Sequence, residues 1–123
     1  MARVAVVEDN PDNRLLLQAI LRDRFAVQEF ENGIDALAGF AADPPDVVLL
    51  DISLPGMDGL EILARIRADA MLAELPVIAL TAHAMAGDRE KYLAAGFDDY
   101  LTKPIVDENR LMLAIEKQLK TGN

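Results

Sequence analysis

The sequence predicts an α/β protein built on a five-stranded parallel sheet with helices on both faces. Three observations carry this reading: five short apolar runs, segments of helical spacing between them, and strict alternation of the two along 123 residues. The runs are continuously apolar rather than alternating, as strands covered on both faces must be. A chain of this length suits one domain, here residues 1–123, which can close a core without disulfide or metal staples.

The first run, Arg3 to Val7, is followed by Asn10-Pro11, a capping side chain ahead of a proline at the first helical position. Leu15, Leu16, Ala19 and Ile20 then recur at spacings of three and four and form the expected inner face of the first helix. The second run, Ala26 to Phe30, leads to a helix over Gly33 to Ala42 with Ile34, Leu37, Ala38 and Ala41 on one face. Asp43-Pro44-Pro45 ends it, because proline has no N–H to continue the ladder. The third run, Val47 to Leu50, precedes a helix over Asp58 to Asp69 carrying Leu60, Ile62, Leu63 and Ile66. After the fourth run, Pro76 to Leu80, a helix from Asp88 to Ala95 closes at Gly96, a residue suited to the left-handed cap. A weaker fifth run near Asp99 to Leu101 is followed by Asp107 to Lys120, with Leu111, Met112, Ile115 and Leu119 at helical spacing.

Composition narrows the chemistry. With no cysteine, disulfides, thiol catalysis and zinc-thiolate sites are excluded, which suits a reducing cytosol. The start, MARVAVVEDN, resembles neither a secretory signal nor a membrane span, so a cytoplasmic protein without a membrane role is expected. A net charge of -9 repels nucleic acid phosphates, so direct nucleic-acid binding is not expected.

In open parallel sheets, sites form beyond the carboxyl ends of the strands. The first strand ends in Glu8-Asp9, the third in Asp51, the fourth in Thr81, and the fifth is followed by Lys103-Pro104. Each group alone has an ordinary use: Glu8-Asp9 as a helix cap, Asp51 as a turn former before Pro55-Gly56, Thr81 as a strand-end threonine, Lys103 as a solvated lysine. Asn10 already fills the capping role, however, and all these groups fall on one sheet edge with complementary charge. Three carboxylates held together need positive charge between them. Lys103 supplies one, and a divalent cation would supply two; an all-oxygen set suits Mg²⁺ or Mn²⁺.

These residues closely resemble the receiver domain of bacterial two-component response regulators, of the single-domain, CheY-like kind. The likeness runs from VAVVEDN through VVLLDISLPGMDG and VIALTAHA to DDYLTKP, in order and over essentially the whole chain. It implies the flavodoxin-like (βα)5 fold with strand order 2-1-3-4-5. It further implies Asp51 as phosphoacceptor, and Glu8 and Asp9 as the acidic metal-binding pair. Asp9, Asp51 and the Ser53 carbonyl would ligate Mg²⁺. Thr81 and Lys103 would contact the phosphoryl oxygens, across a cis Lys103-Pro104 peptide. Tyr100 matches the switch aromatic that turns inward when Thr81 moves toward the phosphoryl group, changing the surface of the fourth helix, fifth strand and fifth helix, roughly Asp88 to Lys120. Ser53 and His83 occupy positions that, in the family, influence acyl-phosphate lifetime. The implied donor is a phosphohistidine on a sensor histidine kinase or histidine phosphotransfer protein, and the output is a downstream protein target; the chain would be a phosphorylation-controlled switch rather than an enzyme acting on others.

A stand-alone receiver is the expectation, with a receiver excised from a hybrid histidine kinase as its near variant. A haloacid dehalogenase-like phosphatase would need a second aspartate two residues after Asp51, where Ser53 stands. A flavodoxin-type cofactor binder would need a phosphate-cradling loop after the first strand, where Glu8-Asp9 would repel phosphate.

Overall fold

A computed structural model describes residues 1–82, 87–103, 105 and 107–121, the last by its backbone alone. Five strands and five helices alternate along the chain: β1 (Arg3–Val7), α1 (Pro11–Leu21), β2 (Ala26–Phe30), α2 (Gly33–Ala42), β3 (Val47–Asp51), α3 (Gly59–Ala68), β4 (Val77–Thr81), α4 (Asp88–Ala95), β5 (Asp99–Thr102) and α5 (Glu108–Thr121). All strand pairs are parallel, in the order β2-β1-β3-β4-β5.

The period-2 alternation of strand side chains divides each buried run between two cores. Val4, Val6, Val47, Leu49, Ile78 and Leu80 face Leu17 and Leu21 of α1 and Leu111, Ala114 and Ile115 of α5. Ala5, Val7, Val48, Leu50, Val77 and Ala79 face α2 and α3 through Ala36, Phe40, Ile62, Leu63 and Ile66. Full burial of each valine, leucine or isoleucine among them stabilises the fold by roughly 1.5–3 kcal/mol. This two-sided covering is why β3 and β4 contain no polar residue before their final positions and β1 none after Arg3.

Strand β2 departs from the expectation of continuously buried runs. It lies at the sheet edge, and its sequence AVQEF leaves Ala26 and Glu29 exposed. Two helix faces also differ from the predicted stripes. In α1 the buried residues are Leu17 and Leu21, whereas Leu15 and Leu16 are exposed. In α2 the core takes Gly33, Ala36 and Phe40, and Ile34 is 70% exposed. Phe40 meets Phe30 edge-on at 5.5 Å between ring centroids, which fixes the rotation of α2 about its axis and turns Ile34 outward.

The helix caps follow the sequence. Asn10 Oδ1 accepts from the Asp12 and Asn13 N–H groups at 2.8 and 3.2 Å, and Asp58 Oδ1 accepts from the Glu61 N–H at 2.9 Å. Gly96 closes α4 at φ 118°, a left-handed conformation that glycine adopts without penalty. Gly59 answers to space instead: a Cβ there would lie 2.7 Å from the Asp51 carbonyl oxygen and from the Ile52 Cα. Only glycine lets α3 start so close to the end of β3, which keeps the loop beyond Asp51 short.

Candidate functional site

Sheet register assembles the site. Val7 pairs with Leu50, Asp51 with Leu80, and Thr81 with Thr102, so the residues following those pairs arrive side by side at the carboxyl edge. Glu8 directly follows β1 and is wholly buried; Asp51 ends β3 and Thr81 ends β4, each 2% exposed. Asp9 is exposed at the rim, and Lys103 directly follows β5.

The groups meet as charges. Lys103 Nζ donates to Asp51 Oδ2 at 3.0 Å and to Glu8 Oε1 and Oε2 at 3.3 and 3.4 Å. The Ser53 N–H donates to Asp51 Oδ1 at 3.0 Å. Carboxylate oxygens of Glu8, Asp9 and Asp51 all lie within 4.8 Å of one another. At that separation two unit charges repel by about 3 kcal/mol at an effective dielectric near 20.

The titration behaviour expresses this crowding. Burial, reinforced by the Asp51 carboxylate, pushes Glu8 up to about 7 against the opposing effects of Asn13 and Lys103. Burial would raise Asp51 too, but Glu8, the Ser53 N–H and Lys103 outweigh it and hold Asp51 below the usual carboxylate range. Lys103 moves upward: the two carboxylates overcome the loss of solvent. One ammonium against three carboxylates leaves the site short of positive charge. The donors are all oxygen, without cysteine or a histidine among the described residues, which fits a hard cation such as Mg²⁺.

Tyr100 is set apart from this cluster. It sits half-buried in β5 with its ring 6.0 Å from that of Tyr92, the buried residue of α4. His83, with its expected place near the site, and the Lys103-Pro104 peptide lie outside the described residues.

Two residues that the sequence reading passed over also touch the cluster. Asn13 Nδ2 donates to Glu8 Oε1 at 2.7 Å, and Arg14 Nη1 donates to the Glu8 and Asp9 carbonyls at 2.8 and 3.1 Å. The available signal was an amide and a guanidinium within one helical turn of Asn10, in an otherwise acidic stretch.

Known proteins place the chain. The model of the response regulator receiver domain matches residues 4–116, and the chain belongs to that family. Sensor histidine kinase GacS of Pseudomonas protegens is 42% identical over 118 residues, 93% of this chain; the chain spans only 13% of that relative's length. Among solved structures, the receiver domain of sensor histidine kinase PA1611 from Pseudomonas aeruginosa, with a magnesium ion coordinated in its active site cleft, is 36% identical at a TM-score of 0.87, covering 97% of this chain and 98% of that one. The Vibrio cholerae chemotaxis protein CheY4 is 26% identical at a TM-score of 0.88, covering 97% and 99%. The fold is thus that of the receiver switch of two-component phosphorelay signalling. No described helix is long and apolar enough to cross a membrane.

Proposed function

We propose that the whole chain, residues 1–123, acts as one receiver domain that takes a phosphoryl group onto Asp51 and signals by changing its protein-binding surface. The observation that carries this is the Lys103 ammonium bridging Asp51 and Glu8, with Asp9 close enough to share a cation. A Mg²⁺ or Mn²⁺ ion, held by Asp9, Asp51 and the Ser53 carbonyl with Glu8 behind them, would supply the divalent charge that offsets the incoming phosphoryl oxygens.

The chain's own residues do the rest. Asp51 is held below the usual carboxylate range and stays ionised, so an oxygen is ready to attack phosphorus. A P–O bond forms as the P–N bond of a donor phosphohistidine breaks, and the imidazole leaves with the bonding pair and takes up a proton. Because such transfer has a loose transition state, positioning and positive charge matter most. Lys103 provides that charge from 3.0 Å away, and Thr81 brings a hydroxyl from the neighbouring strand end. The resulting dianion draws Lys103 and Thr81 toward it, and Tyr100 turns into the space that Thr81 leaves. Its contact with Tyr92 carries the change to α4, so the α4-β5-α5 face meets the downstream protein target.

The donor is a sensor histidine kinase or a histidine phosphotransfer protein. The likeness to a 13% segment of GacS supports the second setting, a receiver within a hybrid histidine kinase. In either setting the chain is a switch in the cytoplasm that binds neither nucleic acid nor membrane, consistent with its charge of -9.

The test is incubation with acetyl phosphate and Mg²⁺, followed by intact-mass spectrometry. The wild type should gain one phosphoryl group and Asp51→Asn none; equal modification of both would sink the assignment.

A further inference from the structure

We propose that Asn13 and Arg14 are positioning residues that hold the Glu8–Asp9 segment in the shape a divalent cation requires. The inference rests on the cation site proposed above and concerns two residues that lie outside it.

Asn13 is the third residue of α1 after its cap Asn10. A side chain at this place often turns back to the cap residue's own N–H. Asn13 instead reaches past the cap, and Nδ2 donates to Glu8 Oε1 at 2.7 Å, a shorter contact than either that Lys103 makes to the same carboxylate. The difference matters during switching, because Lys103 is drawn to the phosphoryl group. Asn13 is fixed to a capped helix and keeps its hold on one Glu8 oxygen while the lysine moves.

Arg14 works on the backbone. Glu8 and Asp9 lie beyond the last β1–β3 register pair, Val7 with Leu50; the Glu8 N–H still donates to the Phe30 carbonyl of β2 at 3.0 Å, but the carbonyls of both residues take their partner from α1. Arg14 Nη1 bridges their successive carbonyls at 2.8 and 3.1 Å, while Nη2 donates to Glu31 Oε1 at 3.1 Å and Nε lies 3.9 Å from Glu29 Oε1. The side chain is only 14% exposed. Its planar fork ties α1, the acidic loop and the end of β2 into one frame, a task for which a lysine's single point charge is poorly shaped. Glu29 and Glu31 neutralise the guanidinium on its far side, so its effect on the site is chiefly geometric.

Groups that orient metal ligands typically change metal affinity by about 10–100-fold when removed. Isothermal calorimetry with Mg²⁺ should therefore give a dissociation constant raised about tenfold or more in Asn13→Ala. Arg14→Lys, which keeps the charge, should shift it in the same direction. Unfolding midpoints in EDTA establish that each variant is folded. Acetyl phosphate labelling of Asn13→Ala should need more Mg²⁺ for half its maximal rate, yet reach the wild-type rate within about twofold at saturating Mg²⁺. A general loss of structure would not produce that split. A folded Asn13→Ala and a folded Arg14→Lys that both bind Mg²⁺ within twofold of the wild type would overturn the inference alone. Absence of Mg²⁺ binding by the wild type would overturn the cation site, and this inference with it.

Discussion

Glu8→Gln removes a buried carboxylate while keeping its shape and an oxygen to accept from Asn13. In the metal-free folded protein, burial and the neighbouring Asp51 move Glu8 from an ordinary 4.5 up to about 7. The folded state therefore keeps a proton that the unfolded chain releases at lower pH. Stability falls as pH rises from 4.5, and the full cost is in place above about 7. A rise of about 2.5 is worth roughly 3 kcal/mol. That rise is already net of the attraction to Lys103, so about 1–3 kcal/mol should appear as a gain in Glu8→Gln. Asp51 runs the other way: held low, it contributes stability that is lost only as pH falls through and below its ordinary 3.8, outside this window. Urea unfolding in EDTA should show Glu8→Gln more stable than wild type by about 1–3 kcal/mol at pH 8, shrinking to under about 1 kcal/mol at pH 5. Saturating Mg²⁺ at pH 8 should favour the wild type, since only it retains the full acidic set. A variant no more stable than wild type at pH 8, or a difference unchanged between the two pH values, would refute the electrostatic reasoning.

Gly59→Ala should lower stability by about 1–3 kcal/mol in urea and weaken Mg²⁺ binding, because its Cβ meets backbone atoms of Asp51 and Ile52 that cannot step aside; a neutral result would contradict the close approach. Tyr92 and Tyr100 are the only tyrosines in a chain without tryptophan, so near-ultraviolet circular dichroism reports largely on this pair. Beryllofluoride with Mg²⁺ should change that signal in the wild type, and Tyr100→Leu should abolish most of the change while leaving Mg²⁺ affinity intact; an undiminished change would remove Tyr100 from the switch. Lys103→Ala should remain folded and accept the phosphoryl group slowly, yet leave the phosphorylated protein unable to bind its target. Unchanged target affinity of that phosphorylated variant would count against the role of Lys103.

The order and type of all ten elements could be read from the sequence, because both-faced burial forces unbroken apolar runs and capped helices have recognisable ends. What could not be read was helix rotation. In α1, Leu15, Leu16, Leu17, Ala19, Ile20 and Leu21 leave almost no polar side to fix the phase, and docking on the sheet selects Leu17 and Leu21. In α2, the Phe30–Phe40 contact across the β2–α2 layer decides the phase, and local spacing does not register it. Edge position, likewise, is a property of strand order, which is why polar Gln28 and Glu29 in β2 became intelligible only in the assembled sheet. Glu8, Asp51, Thr81 and Lys103 were legible because strand ends converge in this fold. Asn13 and Arg14 were not, because their contacts depend on the angle at which α1 meets the acidic loop.

In the proposed reaction Asp51 carries the phosphoryl group. That assignment is tested most directly by labelling the protein with acetyl phosphate and Mg²⁺, reducing the acyl phosphate with borohydride, and locating the product by peptide mass spectrometry. The residue at position 51 should be converted to homoserine, dependent on both Mg²⁺ and the phosphodonor. Conversion at Glu8 or Asp9 instead, or none at position 51 in a folded, Mg²⁺-bound protein, would contradict it.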